Sequence, residues 1–192
     1  YILLSPASML EDRLRRPTLS ALSGVLDSRS REQVRLGTIC VENLIRAAVE
    51  LGGSTGVSYI LQDMVEVGFM KKLLENLHNA WEAHQTTGPN RKVSKLSTVT
   101  ENDYFAILGR LALAEPTLFT QMLTNMGSLD QVWGWLTSEW FSHLSSMDNI
   151  ERQKLYLLGL TRLLELPSPM QELVLGKLQD YFDMWINVIS EL

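Results

Sequence analysis

Glu151–Leu164 reads ERQKLYLLGLTRLL, a leucine-dense run that opens on polar and basic positions and meets no proline before Pro167. A weaker twin stands at Glu32–Ile45, EQVRLGTICVENLI. Sliding one onto the other by 119 residues sets Arg35 on Lys154, Leu36 on Leu155, Ile39 on Leu158, Val41 on Leu160, Leu44 on Leu163 and Ile45 on Leu164. Each copy follows a shorter amphipathic segment that ends in a polar turn, LSALSGVLDSRS before the first and VWGWLTSEWFSHLSSMDN before the second. Helix, tight turn and longer helix with a polar-apolar-basic opening is the pattern of a HEAT unit. An offset of 119 residues holds three units of roughly 40, inside the HEAT and armadillo period. The residues therefore predict an all-α fold, an α-α superhelix, with residues 1–192 forming a single HEAT-repeat solenoid segment of about four to five helix pairs. Such a segment works through its surface rather than through a pocket of reactive groups.

Composition agrees with a packed, non-nucleic-acid-binding chain. The hydrophobic fraction of 45% in 192 residues is enough for a core. With 22 acidic against 17 basic residues the formal net charge is -5, whereas phosphate backbones select concentrated basic surface. A basic protein cargo fits that charge better. The single cysteine, Cys40, lies in an apolar helical run, cannot close an internal disulfide and reads as a buried structural thiol in a reducing compartment. No apolar run approaches 18 residues, so no membrane insertion is expected, and the opening YILLSPASMLEDRLRR has its charges after its apolar stretch, the reverse of a secretory signal. The chain does not start with Met and its last helical pattern runs to its final residue, so an excerpt of a longer chain is expected.

In chain order, Tyr1–Arg16 reads as the close of a preceding repeat, with Pro17 suited to the first turn of a helix over Thr18–Leu26. A longer helix follows from Arg31 to Leu51 and is expected to end at Gly52 and Gly53, with Ser54 or Thr55 capping the next. Val57, Ile60, Met64 and Val67 share a face, continued by Leu74, Leu77 and Trp81, and Gly68 is expected to split the run into a helix pair. Residues Thr86–Thr100, TTGPNRKVSKLSTVT, lose the helical period and carry three basic residues, Arg91, Lys92 and Lys95, so a flexible loop is expected there. Helices are expected over Glu101–Glu115, from Pro116 to Met126, and over Leu129–Ser145, where Val132, Trp133, Leu136, Trp140 and Leu144 line one stripe and Trp135 points elsewhere. In the Glu151–Leu164 helix, Leu157, Leu160 and Leu164 form one face and Leu155, Leu158 and Leu163 widen it. One last helix is expected from Met170, carrying Val174, Leu178, Tyr181, Trp185 and Val188.

No catalytic or metal set stands out, and no cofactor is expected. His78, His84 and His143 share no zinc-like spacing with Cys40 or with one another, and His78 with Glu82 reads as a solvated helical pair. The segment GGSTG at 52–56 follows a helix and lacks a lysine before its hydroxyls, so it reads as a turn and not a phosphate loop. No G-x-S-x-G elbow is present. What is left is partner surface: the acidic Glu42, Glu50, Glu75 and Glu165 for basic cargo, Trp135 as an aromatic contact, and Arg91, Lys92 and Lys95 for an acidic partner.

WFSHLSSMDNIERQKLYLLGLTRLLELPSP, with FAILGRLALAEPTLF at Phe105–Phe119, resembles the C-terminal half of an importin-beta family karyopherin, most closely the importin-eleven branch and its fungal counterparts. Trp140, Phe141, Arg152, Lys154, Leu155, Leu158, Gly159, Leu160, Leu163 and Leu164 occupy the positions of that family's tryptophan-bearing outer helix and K-L-x-x-L-G-L-x-x-L-L inner helix. The match covers Asp103–Pro169, about a third of the chain. The resemblance implies a non-enzymatic nuclear transport receptor that shuttles between nucleus and cytoplasm, binds protein cargo and Phe-Gly nucleoporins, and binds Ran-GTP mainly through repeats outside this segment. The alternative is a HEAT scaffold of another class, such as a phosphatase regulatory subunit or an assembly platform.

Overall fold

The computed structural model describes residues 6–86, 93–144, 147 and 149–190. Ten α-helices and one short 3-10 helix follow one another, with no strand among the described residues. The fold is all-α, and its helices pair in chain order as in a HEAT-repeat segment. The second helix of successive pairs opens at Arg31, Phe69, Pro116 and Ile150, so the 119-residue offset resolves into intervals of 38, 47 and 34 residues. Two compact units divide the chain, Tyr1–Ile107 and Leu108–Leu192, the division falling inside one helix.

The first unit holds α1 (Pro6–Met9), α2 (Asp12–Val25), α3 (Arg31–Glu66), α4 (Phe69–Gln85) and the start of α5 (Thr98–Ala114). Its core is the apolar stripe of each: Leu19 and Leu22 of α2, Val41, Leu44 and Ile45 of early α3, Val57, Ile60 and Met64 of late α3, Leu73 and Leu77 of α4. Burying each such side chain contributes about 2 kcal/mol. Lys72 of α4 donates to the Ser23 carbonyl at 3.2 Å and to Asp27 at 2.6 Å. A cation thereby satisfies a carbonyl that the end of α2 leaves over.

Two boundaries differ from the sequence expectations. Pro17 does not open a helix; it lies inside α2, which starts at Asp12. The extra turn is anchored at long range, for Arg15 donates to Asp63 at 2.6 Å and Arg16 pairs with Glu66 at 2.8 Å. The helix expected to end at Gly52 and Gly53 does end there: Gly53, at φ 54° and ψ -144°, leaves helical torsions, so α3 is two helices that meet at this kink with no loop between them. Gly68, at φ 74°, does separate α3 from α4 as the periodicity predicts, since that left-handed conformation favours glycine. The second difference is α5, which starts at Thr98 rather than Glu101, because the Ser97 hydroxyl accepts from the Thr100 amide at 3.3 Å and caps the helix early.

The second unit comprises the rest of α5, then α6 (Pro116–Thr124), α7 (Leu129–Leu144), α8 (Ile150–Arg162), the 3-10 turn Leu163–Glu165, α9 (Met170–Leu175) and α10 (Leu178–Ser190). Pro116 occupies the first turn of α6, where its missing N–H costs nothing. Asn149 caps α8, accepting from the Arg152 amide at 3.1 Å, with Glu151 in the first turn and Arg162 in the last. Gly109 and Gly159 let α5 and α8 touch backbone to backbone: a Cβ at 159 would stand 2.7 Å from the Gly109 oxygen. Around that contact Trp140 stacks edge-on against Tyr156 at 5.9 Å, and the Tyr181 hydroxyl donates to the Leu160 carbonyl at 3.2 Å. Two expectations change in this unit. Leu158 is 50% exposed, so the apolar arc of α8 is narrower than its leucines imply, and Gly159 and Tyr156 fill the inner face instead. The last helix is two, broken at Gly176 and Lys177.

Candidate functional site

The acidic candidates fall on different elements. Glu42 is half-buried and Glu50 exposed, both on the first half of α3, eight residues apart or about 12 Å along the axis. Glu75 is exposed on α4 and 3.8 Å from Lys71. Glu165 lies in the 3-10 turn of the second unit and pairs with Arg162. Glu75 and Glu165 thus have cations beside them, which lowers the field they offer a partner.

Trp135 is half-buried on α7, while Trp133 and Trp140 are 1% and 0% exposed and serve packing. Cys40 is half-buried rather than buried, because α3 turns it toward the rim of the core; desolvation still pushes its thiol up. Burial likewise pushes the Tyr104 phenol up to about 12 and raises that of Tyr181. These groups are held neutral, the reverse of what an activated nucleophile needs. His78 stands 4.0 Å from Glu82 and tilts against the Trp81 ring at 5.5 Å, a half-buried helical arrangement.

Arg91 and Lys92 lie outside the described residues. Lys95 belongs to a feature that sequence reasoning reached only at that one residue. A cavity of about 610 Å3 opens between the turn after α2, the start of α3, mid-α4 and the segment leading into α5. Its floor is apolar, from Leu26, Val34 and Leu96, and its polar wall carries Asn76 and Thr100. Arg29, Arg31 and Lys95, all exposed, stand round it. The one carboxylate of the lining, Asp27, is engaged by Lys72 at 2.6 Å. A second cavity of about 380 Å3 shares Asn76, Lys95 and Leu96 and runs along α4 past Asn79 to Ala83. Arg29, Arg31 and Asn76 carry no local motif, and only the fold brings them to Lys95.

Helix pairs with packed interiors and charged faces define a helical-repeat segment. The family model described as importin-11-like, TPR repeats, matches residues 1–192. The chain belongs to that family, in keeping with an importin-beta-like helical-repeat protein. No curated protein and no solved structure matches the chain. No helix among the described residues is long and apolar enough to cross a membrane.

Proposed function

We propose that the chain is a non-catalytic segment of a karyopherin-type nuclear transport receptor, which carries protein cargo between cytoplasm and nucleus. The observation that carries this reading is the family match over all 192 residues, supported by paired helices that follow the repeat period. In the full-length receptor, Ran-GTP binds chiefly through repeats outside this segment, Phe-Gly nucleoporins bind between helices, and cargo is held by many weak polar contacts. Within this segment, Glu42 and Glu50 on α3, Glu75 on α4 and Glu165 in the 3-10 turn are the acidic residues we assign to basic cargo, and Trp135 on α7 is the aromatic contact. Spreading affinity over many contacts means that one reversal matters little and several matter much.

The test is cargo capture on immobilised full-length protein with Ran-GTP as competitor, alongside immobilised Phe-Gly repeats. Release of cargo by Ran-GTP together with retention on Phe-Gly repeats is expected. Cargo retention indifferent to Ran-GTP refutes import, and failure on Phe-Gly repeats as well points to a HEAT scaffold of another class.

A further inference from the structure

We infer that the cavity ringed by Arg29, Arg31 and Lys95 is a docking site for an acidic peptide segment in extended conformation. The inference stands on the first unit alone and does not need the transport reading.

Three observations carry it. First, the cations of this chain are mostly spoken for. Arg13, Arg15, Arg16, Arg35, Lys71, Lys72, Lys154 and Arg162 all have carboxylate partners. Arg29, Arg31, Arg46, Lys95 and Lys177 have none among the described residues, and three of these five converge on one cavity. In a chain of net charge -5, unpaired cations gathered from residues 29, 31 and 95 leave a local positive field that the overall charge opposes. Second, the one carboxylate among the described lining residues, Asp27, is held by Lys72 at 2.6 Å. Third, the cavity has the size and lining of a binding site: about 610 Å3, with apolar Leu26, Val34 and Leu96 beside the polar Asn76 and Thr100.

The continuation along α4 decides for a peptide over a small anion. From Asn76 to Ala83 is seven residues of helix, about 10 Å, the length of three residues of extended chain. An acidic side chain anchored at the cations leaves its neighbours lying over Asn79 and Ala83. Glu82 lines that continuation, so the acidic anchor sits at the cations rather than along α4; a nucleic acid, with a phosphate at every residue, is disfavoured there, and among the described residues no basic stripe runs on to follow a phosphate backbone.

The test is fluorescence anisotropy of a labelled decapeptide of alternating Glu and Ser, against its Gln-for-Glu counterpart and a single-stranded oligonucleotide of similar length. Binding of the acidic peptide alone, weakening with salt, is expected. Arg29→Glu and Lys95→Glu, both exposed, each weaken it by about tenfold or more, while Arg46→Glu, an equal charge change on the same chain, moves it less than about twofold. On the unaltered chain, carbodiimide coupling of the peptide's carboxylates concentrates at Lys95 and leaves Lys71, Lys154 and Lys177 little modified. Equal weakening by all three reversals, adducts spread over those lysines, equal binding of the Gln peptide, or tighter binding of the oligonucleotide overturns the inference.

Discussion

Replacing Gly159 by alanine tests the packing at the centre of the second unit. Two effects oppose each other. In a helix interior Gly→Ala gains up to about 1 kcal/mol of propensity. Against this, the new methyl would lie 2.7 Å from the Gly109 oxygen, 3.0 Å from its Cα and 3.2 Å from its carbonyl carbon. Those are backbone atoms and no side chain can swing away, so α5 or α8 must shift, and overpacking of this kind costs about 1–3 kcal/mol, here near the upper end. The net expectation is a loss of about 1–2 kcal/mol, which with a urea m-value of about 2 kcal/mol/M lowers the midpoint by roughly 0.5–1 M. Gly134 on α7 is the control: it is exposed with nothing within 4 Å of a built Cβ. Gly134→Ala therefore keeps the propensity term alone and is expected to stabilise by about 0.5–1 kcal/mol. Tryptophan fluorescence during urea unfolding reads both, since Trp133 and Trp140 are buried in this unit. A Gly159→Ala midpoint at or above wild type would show that the two helices do not meet through their backbones, and the argument fails.

Two further predictions concern the first unit. Arg15→Met leaves Asp63, whose side chain is only 12% exposed, without the cation it meets at 2.6 Å; a loss of about 3 kcal/mol is expected by circular dichroism in urea, mostly recovered in Arg15→Met/Asp63→Leu. Recovery absent from the double variant argues that the pair does more than neutralise a buried charge. For Cys40, desolvation raises the thiol above its ordinary value of 9.0, so iodoacetamide alkylation should lag free cysteine at pH 8 and climb only at higher pH. The sign for stability follows: the folded chain holds this proton more tightly, so the contribution is complete below the unfolded thiol's pKa and is lost as pH rises through the folded one. Alkylation of the native chain as fast as that of the urea-unfolded chain contradicts this.

Local chemistry made much of the helical order legible in the residues. Pro116 opens α6, Gly68 parts α3 from α4, and the polar turn before Glu151 supplies the Asn149 cap, each because one residue type suits one torsion or one hydrogen bond. What escaped was settled at a distance. The start of α2 depends on Arg15 meeting a carboxylate 48 positions on, and no window of sequence contains both. Counting leucines put Leu158 inside, whereas the close approach at Gly159 narrows the face. The charged surfaces fared differently again. A glutamate's partners across the fold are invisible in the sequence, so Glu75 beside Lys71 reads like any other helical glutamate. The basic cavity is assembled from three stretches, residues 26–34, Asn76 and residues 95–100, which stand 42 and 19 positions apart, and only Lys95 carries a local signal.

The bend in α3 has a stereochemical corollary. Gly53 sits at φ 54° and ψ -144° with open space where a side chain would be. Reflected, those angles are -54° and 144°, the polyproline basin that ordinary residues favour. Handedness and not crowding keeps this position a glycine. A D-alanine introduced there by peptide ligation would suit these torsions and restrict the unfolded chain, whereas the L methyl, which meets nothing within 4 Å, would bear the torsional cost alone.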